Sequence, residues 1–501
     1  MTRRDLILLS GTMAALIAVV VPLAINVHVL EYDEAVFMDV ARNIQRLGLP
    51  FRSLGEQGQP AFEHTPLYLY VLSLYARPSE IGIFGARLVT LAFGLGSVWL
   101  TFEIGRSMHD SLAGFIAALL LAINAFFALH TFFVRMEVPM VFAMLAGLYL
   151  LLASEHGRRT GLILAAGVML AIATLFKEIA VLFTGWCAVY VILDCRRHRR
   201  VFVLPFIALI MPSVLAVALW ANWAWRLSPI AFTAALRRWM NSMAAVNLYD
   251  PRAAVGAGQW VQQLAFDLLG VALVISLAIS LVVTLRQRKG RPNPAQVLLW
   301  GYLLSALAIS FLVRLKELRH LIGILPIAAV IIGTSINWAG LIERLRASRS
   351  WLPRAAFAAV AIAFLLSASP LRLPTGPAGK ISSWLDTLYG RRLLENDRFY
   401  NVLRLTGRYL QEHTDPDEVI TVAHEATVTA YYADRRHNML YTLPRTTAES
   451  IVQQASVIVW DDENFLAMTP PEVAALRKDV QERFKAVQVI QDGVRSVTVY
   501  R

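Results

Sequence analysis

The stretch LILLSGTMAALIAVVVPLAINVHVLEYDEAVFMDV (residues 6–40) contains the two features that decide the fold. Its first part, residues 6–27, carries no charge, and as a helix it is long enough to cross a hydrocarbon core about 30 Å thick. Its second part places three carboxylates directly after that apolar run. A chain that repeats this arrangement spans a membrane many times and concentrates its charges at the ends of the spans.

The composition of the whole chain agrees with this interpretation. Of 501 residues, 57% are hydrophobic and 16% are charged, and the mean hydropathy is +0.54, far from the balance of a soluble globular protein. A lipid-exposed chain must satisfy its own backbone hydrogen bonds, so the spans are helices. The sequence predicts an all-α polytopic bundle of about 11 transmembrane helices. They lie near 6–27, 83–102, 112–131, 138–154, 160–176, 179–193, 201–222, 264–285, 297–313, 319–338 and 354–370.

The basic residues indicate orientation rather than nucleic-acid binding. All of the net charge of +12 lies before residue 371, where 31 Lys and Arg face 18 Asp and Glu. Clusters such as CRRHRR (195–200) and RQRKGR (286–291) occupy alternate connections, which the positive-inside rule places in the cytoplasm. The sequence therefore predicts a protein of the cytoplasmic membrane with a cytoplasmic N-terminus and an external C-terminus.

Two domains follow from the pattern. Residues 1–370 form the transmembrane domain with long external loops at 28–82 and 223–262, and residues 371–501 form an extracytoplasmic α/β domain. Strand-like runs at 417–423, 438–443 and 455–461 alternate with helical patterns, and residues 486–500 contain an Asp-Gly hairpin signal. The absence of a Gly-x-Gly-x-x-Gly sequence argues against a nucleotide site.

Charged residues recur at the external junctions, where a reaction could take place. Asp33 stands at an N-cap position and Glu34 follows it in an amphipathic helix. The structural alternative for these two residues is helix capping. For the six further charged or ionisable residues named below, it is snorkelling of long side chains to the membrane surface. Together, carboxylates and cations at one surface suit deprotonation of a hydroxyl while a phosphate departs. The others are Glu63, His64, Arg135, Glu137, Lys177 and Arg319.

Several segments resemble one family in order and sidedness. EYDEAVFMDVARNI (31–44) resembles the Asp-Glu motif of GT-C polytopic glycosyltransferases that use polyprenyl-phosphate sugars, a group that includes protein O-mannosyltransferases and aminoarabinose transferases of lipid A. Two departures stand out: His64-Thr65-Pro66 replaces a common Lys-Pro-Pro, and Glu137 replaces a common Asp. The other similar segments are FEHTPLYLYVLSLYAR (62–77), GARLVTLAFGLGSVWLTFEIGRSMHD (85–110), FFVRMEVPM (132–140), TLFKEIA (174–180) and LRHLIGILPIAAV (318–330).

The resemblance implies an inverting transfer of a sugar from a polyprenyl-phosphate donor in the membrane to an acceptor hydroxyl. The acceptor is a protein, a glycolipid or a polysaccharide, and use of a divalent cation stays open. The resemblance makes Asp33, with Glu34 beside it, catalytic. The donor phosphate would be held by Arg135, Lys177, Arg319 and His64, and the acceptor or a cation by Glu63 and Glu137.

Two other functions remain open at this stage. One is a transporter or lipid-linked-sugar flippase without bond chemistry, although such proteins usually show repeats and charges at mid-membrane depth. The other is a non-catalytic assembly factor whose outer domain docks a partner. Loss of one sugar from the envelope in the absence of the gene would favour the transferase.

Overall fold

The computed structural model of the chain describes most of both predicted domains. The described ranges are 2–26, 29–55, 58–75, 82–244, 257–269, 271–286, 293–312, 317–338, 340–341, 343, 391–423, 426–440, 443–461, 468–492 and 495–501.

Apolar helices make up the first domain. The described residues contain five helical segments long and apolar enough to cross a membrane, or up to six if the bent pair of residues 111–132 is a single span. The predicted span at 354–370 lies outside the described residues, so the count of about 11 stays a prediction. The helices are α1 (Arg3–Asn26), α2 (Tyr32–Leu47), α3 (Leu67–Tyr75), α4 (Ile83–Met108), α5 (Ser111–Ala122), α6 (Ala125–Phe132), α7 (Glu137–Leu152), α8 (Thr160–Phe176), α9 (Val181–Arg197), α10 (Val203–Leu227), α11 (Pro229–Ala244), α12 (Ala257–Gln262), α13 (Val271–Arg286), α14 (Pro294–Leu312) and α15 (Ile324–Ser335).

Short irregular helices interrupt this pattern. They are 3₁₀ turns at Glu178–Ala180 and Leu318–Leu321 and a π-helical segment at Gln263–Leu269. The first follows Lys177 and the second contains Arg319, and both residues are predicted to carry chemistry.

Small residues allow the helices of the bundle to approach closely. A Cβ on Gly105 of α4 would lie 2.8 Å from the Cα of Gly114 on α5, and a Cβ on Gly167 of α8 would lie 2.5 Å from the carbonyl oxygen of Leu209 on α10. Close backbone approach of this kind drives helix packing in lipid, where no hydrophobic difference between helix and solvent exists. The α4–α5 and α8–α10 pairs are therefore fixed supports for the residues at their ends.

The predicted third span is a bent pair rather than one straight helix. Helices α5 and α6 meet at an angle of 64°. Asn124 starts α6, because its side-chain oxygen accepts the backbone N–H of Phe127 at 2.9 Å while its amide donates to the carbonyl of Leu268 at 3.1 Å. The bend directs the end of α6 toward the junction that carries Arg135.

Helix α2 is the amphipathic helix predicted from the sequence, but its N-cap differs from the prediction. Glu31 is the N-cap and forms a reciprocal capping box with Glu34, while Gly48 ends the helix with φ of 73°. The expectation that Asp33 is the cap is wrong, since Asp33 lies inside the first turn. Its carboxylate is thus left for other partners.

The C-terminal domain has the predicted mixture of strands and helices. Its sheet has the order β4-β3-β5-β7-β6, in which β3 pairs in parallel with both β4 and β5, and β7 is antiparallel to β5 and β6. The predicted hairpin at 486–500 is confirmed as β6 and β7. The strands are β3 (Ile420–Val422), β4 (His437–Met439), β5 (Val457–Asp461), β6 (Ala486–Asp492) and β7 (Arg495–Tyr500), and the helices are α16 (Arg391–His413), α17 (Ala426–Ala433), α18 (Arg445–Gln454) and α19 (Pro470–Arg483).

This domain packs directly on the first long loop. Asp434, which follows α17, forms ion pairs at 2.7 Å with both Arg42 and Arg46 of α2. These guanidinium groups hold the pKa of Asp434 at about 2, although partial burial opposes the shift. The loop also contains a two-residue pairing of β1 (Phe51–Arg52) with β2 (Gln59–Pro60).

The loop backbone extends this contact. The N–H of His437 donates to the carbonyl of Ser53 at 3.0 Å, and the N–H of Gly55 donates to the carbonyl of His437 at 2.8 Å. The C-terminal domain thereby holds the helix whose first turn carries Asp33.

Candidate active site

Glu34 joins three segments at the end of the bundle that contacts the C-terminal domain. Its side chain is fully buried and forms an ion pair at 3.0 Å with Arg87 of α4, which is equally buried. The carboxylate also accepts the backbone N–H of Val134 at 2.8 Å and that of Glu31 at 3.1 Å. A buried ion pair is tolerated when further hydrogen bonds satisfy it, as these do. Glu34 thus ties α2 to α4 and to the α6–α7 junction.

Asp33, the carboxylate that directly precedes Glu34 in α2, has a different environment. Its side chain is 29% exposed and forms an ion pair with Arg319, from the 3₁₀ turn before α15. The same oxygen, Oδ2, lies 3.6 Å from Arg135 of the α6–α7 junction. Three segments far apart in sequence therefore bring one accessible carboxylate and two guanidinium groups together, as the sequence analysis expected.

Each of the two arginines has a second carboxylate partner. Arg135 is paired with Glu31, and Arg319 is paired with Glu317. Burial raises the pKa of Glu31 above its ordinary value, against the opposing effect of Arg135. These partners fix the guanidinium groups in position independently of Asp33.

Glu137 and Lys177 form a buried ion pair, 2.5 Å apart, beside this cluster. Lys177 ends α8 and Glu137 starts α7, so the pair joins the ends of two packed helices. The side chains are only 2% and 4% exposed. Glu137 Oε2 is buried and has no hydrogen-bond partner among the described residues. The sequence predicted the proximity of these residues but not that they bind each other.

Glu63 and His64 lie in a second polar cluster. Glu63 forms ion pairs with Arg52 at 3.1 Å and with Arg238 of α11 at 3.0 Å. His64 Nδ1 lies 3.8 Å from Glu178, the residue after Lys177. The cluster therefore connects the first long loop to α11, which belongs to the second predicted loop.

An aromatic group lies alongside Glu63. Phe62 packs edge-on against Trp223 and Phe232, with ring centroids 6.0 and 6.3 Å apart. The end of α10, with Trp223, and α11, with Phe232, thus pack against the loop that carries Glu63.

The carboxylates of the site are neutralised by cations of the protein. Asp33, Glu31 and Glu34 pair with arginines, and Glu137 pairs with lysine. Within the described part of the chain, the group of His, Cys, Asp and Glu residues that has metal-ligand spacing lies elsewhere, at residues 156–198. The geometry is suited to binding an anion beside a base.

Sequence reasoning did not single out Glu31, Arg87 or Glu317. Arg87 had a usable signal, because it is the sole charge between residues 83 and 102. A charge that deep in an apolar helix requires a partner. Glu31 stands three residues before Glu34, the spacing of a capping box. Glu317 offered only its position between Lys316 and Arg319.

The sequence and the fold were then compared with known proteins. Residues 63–225 match a family model described as dolichyl-phosphate-mannose-protein mannosyltransferase. This segment includes Glu63, Arg87, Arg135, Glu137 and Lys177. No curated protein sequence matches the chain.

Solved structures similar to this one include three membrane transferases. ArnT from Cupriavidus metallidurans, bound to undecaprenyl phosphate, superposes with a TM-score of 0.63 at 14% identity, covering 99% of this chain and 97% of that one. The Archaeoglobus fulgidus oligosaccharyltransferase gives a TM-score of 0.59 at 11% identity over 91% of this chain and 69% of that one. The arabinosyltransferase EmbB from Mycobacterium smegmatis gives 0.50 at 17% identity over 81% and 38%. The predicted GT-C-like fold class is confirmed.

Proposed function

We propose that the protein transfers a sugar from a polyprenyl-phosphate donor to an acceptor hydroxyl. The proposal starts from the match of residues 63–225 to a glycosyltransferase family, which together with the fold confirms the predicted resemblance. The observation that carries the proposal is the arrangement around Asp33. This carboxylate is partly exposed, and Arg135 and Arg319 flank it. A base next to two cations is what attack by a hydroxyl and departure of a phosphate require.

The two arginines bind the phosphate of the donor in this mechanism. Arg135 Nε is buried and has no hydrogen-bond partner among the described residues, so it can donate to a phosphate oxygen. Glu31 and Glu317 keep both guanidinium groups in place when the phosphate binds. As the sugar leaves the phosphate, negative charge develops on the oxygen nearest the two cations, which stabilise it.

Asp33 acts as the general base. The donor phosphate competes with Asp33 for Arg319, which frees Oδ2 of the carboxylate to accept the proton of the acceptor hydroxyl. The acceptor oxygen attacks the anomeric carbon, its proton passes to Asp33, and the bond from that carbon to the phosphate oxygen breaks. Attack and departure on opposite faces of the sugar invert the anomeric configuration.

The remaining predicted residues receive supporting roles in the proposal. Glu34 is a positioning residue, because its buried carboxylate is held by Arg87 and fixes the first turn of α2. Lys177 balances the charge of Glu137 beneath the arginines rather than binding the donor itself. We assign Glu63, which pairs with Arg52 and Arg238, to the acceptor, and the donor-phosphate role of His64 stays a prediction.

We place this site at the external face of the cytoplasmic membrane. Helix α7 starts at the site and α8 ends there, so the turn between them, with Arg158 and Arg159, lies at the opposite end. That end carries the basic residues expected in the cytoplasm. No nucleotide sugar is expected outside the cytoplasm, so a donor already attached to a membrane lipid fits this location.

The test is a comparison of envelope glycans and glycoproteins by mass spectrometry. Cells lacking the gene should lack one sugar on one class of acceptor. Wild type and Asp417→Asn, an exposed carboxylate of the C-terminal domain, should restore that sugar, and Asp33→Asn should not. Restoration by Asp33→Asn would remove the proposed base, and an unchanged glycan profile in the deletion strain would contradict the transferase itself.

A further inference from the structure

A group of potential metal ligands lies at the end of the bundle opposite Asp33. His156 belongs to the turn between α7 and α8, and Asp194 and His198 belong to the end of α9 and the residue after it. Helix α9 starts near Lys177 and runs away from the site, which brings its C-terminus to the α7–α8 turn. The proposed transfer reaction uses none of these residues.

The distances from Asp194 Oδ1 to the two imidazole nitrogens fit one metal ion. The rings of His156 and His198 are stacked, with centroids 3.9 Å apart and an interplanar angle of 25°, so one ring must rotate for both nitrogens to face the ion. His156 Nδ1 lies 3.2 Å from Asp194 Oδ1, and His198 Nδ1 lies 3.4 Å from the same oxygen. A tetrahedral Zn²⁺ site with bonds of roughly 2.0 to 2.1 Å separates neighbouring N and O ligands by about 3.3 Å. The three ligand atoms lie within 4.8 Å of one another.

The backbone of the turn holds His156 against the other two residues. Glu155, His156 and Gly157 have φ values of 52°, 60° and 78°, so three successive residues adopt the left-handed conformation. Arg200 donates to the carbonyl of His156 at 2.8 Å and maintains this shape. For non-glycine residues the conformation is unfavourable and persists only where the surroundings require it.

We propose that His156, Asp194 and His198 bind a divalent transition metal ion, for which Zn²⁺ is the best match. Two imidazoles and one carboxylate form the donor set, and a water molecule would complete the coordination. Asp194 is buried, with only 6% of its side chain exposed, whereas His156 is 56% exposed, so the ion can enter from solvent. Bound metal clamps the α7–α8 turn to the end of α9.

The surroundings select among metals. Arg196, Arg197 and Arg199 are exposed near the group, and their charges oppose any cation. Binding must therefore come from strong metal–imidazole bonds, which favour Zn²⁺, Cu²⁺ or Ni²⁺ over Mg²⁺ and Ca²⁺. His198 Nδ1 also lies 2.9 Å from the carbonyl oxygen of Asp194, a contact that the metal would replace.

The test uses the full-length protein in detergent, purified without a polyhistidine tag and stripped with a chelator. After incubation with Zn²⁺ and gel filtration, the wild type should retain a single equivalent, measured by mass spectrometry of the metal. Competition with a chromophoric zinc indicator should show binding weakened at least about tenfold in His156→Ala and in His198→Ala. Millimolar Mg²⁺ should leave the Zn²⁺ bound.

The matched control is His109→Ala. His109 lies at another helix end and contacts a single carboxylate, Asp110, at 3.0 Å. It should keep the Zn²⁺ affinity of the wild type. Asp194→Asn changes a buried residue, so the more exposed His156 carries the test if that variant does not fold.

Two results would overturn the proposal. One is equal Zn²⁺ retention by the wild type and by the His156→Ala/His198→Ala double variant, and the other is no retention by the wild type. Either would assign the group to hydrogen bonding around Asp194 alone. Both leave the proposed transfer at the opposite end unaffected.

Discussion

Asp33 and Glu34 are adjacent carboxylates on the first turn of α2, yet their surroundings are opposite. Glu34 is fully buried against Arg87, whereas Asp33 keeps 29% of its side chain exposed between Arg319 and Arg135. Successive residues of a helix point about 100° apart, so one turn can direct one carboxylate into the bundle and the next toward a cleft. In the proposed mechanism Glu34 anchors the helix, and Asp33 is the accessible carboxylate that acts as the base.

The largest expected effect is on turnover in Asp33→Asn. The amide cannot accept the acceptor proton, and loss of a general base lowers the rate about 10²- to 10⁴-fold. The turnover rate is measured as the initial rate at which membrane vesicles release polyprenyl phosphate. The thermal unfolding temperature should change little, because Arg319 and Arg135 keep Glu317 and Glu31 as partners.

The opposite outcome would contradict the proposed role of Asp33. A variant that loses stability but keeps turnover would make Asp33 an anchor like Glu34. Asp417→Asn, which removes an exposed carboxylate far from the bundle, provides the control for the substitution itself.

Glu34→Gln should show the reverse pattern. Removing one partner of a buried ion pair costs about 3 to 5 kcal/mol of stability. Thermal unfolding in detergent should detect the loss, and turnover per folded molecule should fall less than in Asp33→Asn.

A double variant sharpens this prediction. Glu34→Gln combined with Arg87→Met removes both charges, so it should recover part of the stability that Glu34→Gln loses. If the stability that the double variant loses relative to the wild type equals the sum of the two single losses, the two residues do not interact, and Glu34 is not an anchor.

An intermediate effect is expected for Arg319→Gln. A charge-assisted hydrogen bond contributes about 1.5 to 3 kcal/mol, so kcat/KM for the donor should fall about 10- to 100-fold. Arg319→Lys should recover part of this, since lysine keeps the charge but not the planar two-point geometry. Arg445→Gln, a surface arginine paired with Glu449, is the control. An unchanged kcat/KM in Arg319→Gln would exclude phosphate binding by this residue.

The positions of the site residues could be predicted from sequence, but their partners could not. Asp33, Arg135 and Arg319 are expected at one face, because the predicted topology places each of them at an external junction of an apolar span. Which carboxylate pairs with which arginine depends on how α2 is rotated about its axis. Packing against α3 and α17, together with the Glu34–Arg87 ion pair, sets that rotation. The structural alternative for Asp33, helix capping, is consequently wrong, because Glu31 fills the N-cap position.

For the fold, too, the positions of the helices and strands could be predicted from the sequence, whereas the long-range contacts that shape them could not. Charge-free runs located the helices, and the alternation of strands and helices located the C-terminal domain. The bend between α5 and α6 depends on Asn124, whose side chain caps one helix and contacts Leu268, 144 residues away. The group around Asp194 depends on a left-handed turn at His156. The residue types in this turn do not predict that conformation.

The smallest expected effect concerns the contact that holds α2 in place. Asp434→Asn weakens two partly exposed ion pairs with Arg42 and Arg46, so it should lower stability by about 1 kcal/mol or less. Hydrogen exchange should increase in α17 and in the C-terminal part of α2, while the first turn, held by Glu34, should stay protected.

The pKa of Asp434 is lowered to about 2, so the stabilisation is complete above its ordinary value of 3.8 and disappears as the pH falls through about 2. Exchange in the wild type, corrected for the intrinsic pH dependence, should therefore be constant between about pH 5 and 8. Increased exchange at Asp33 and Glu34 in the variant would show that the C-terminal domain, and not the buried pair with Arg87, orders the first turn of α2.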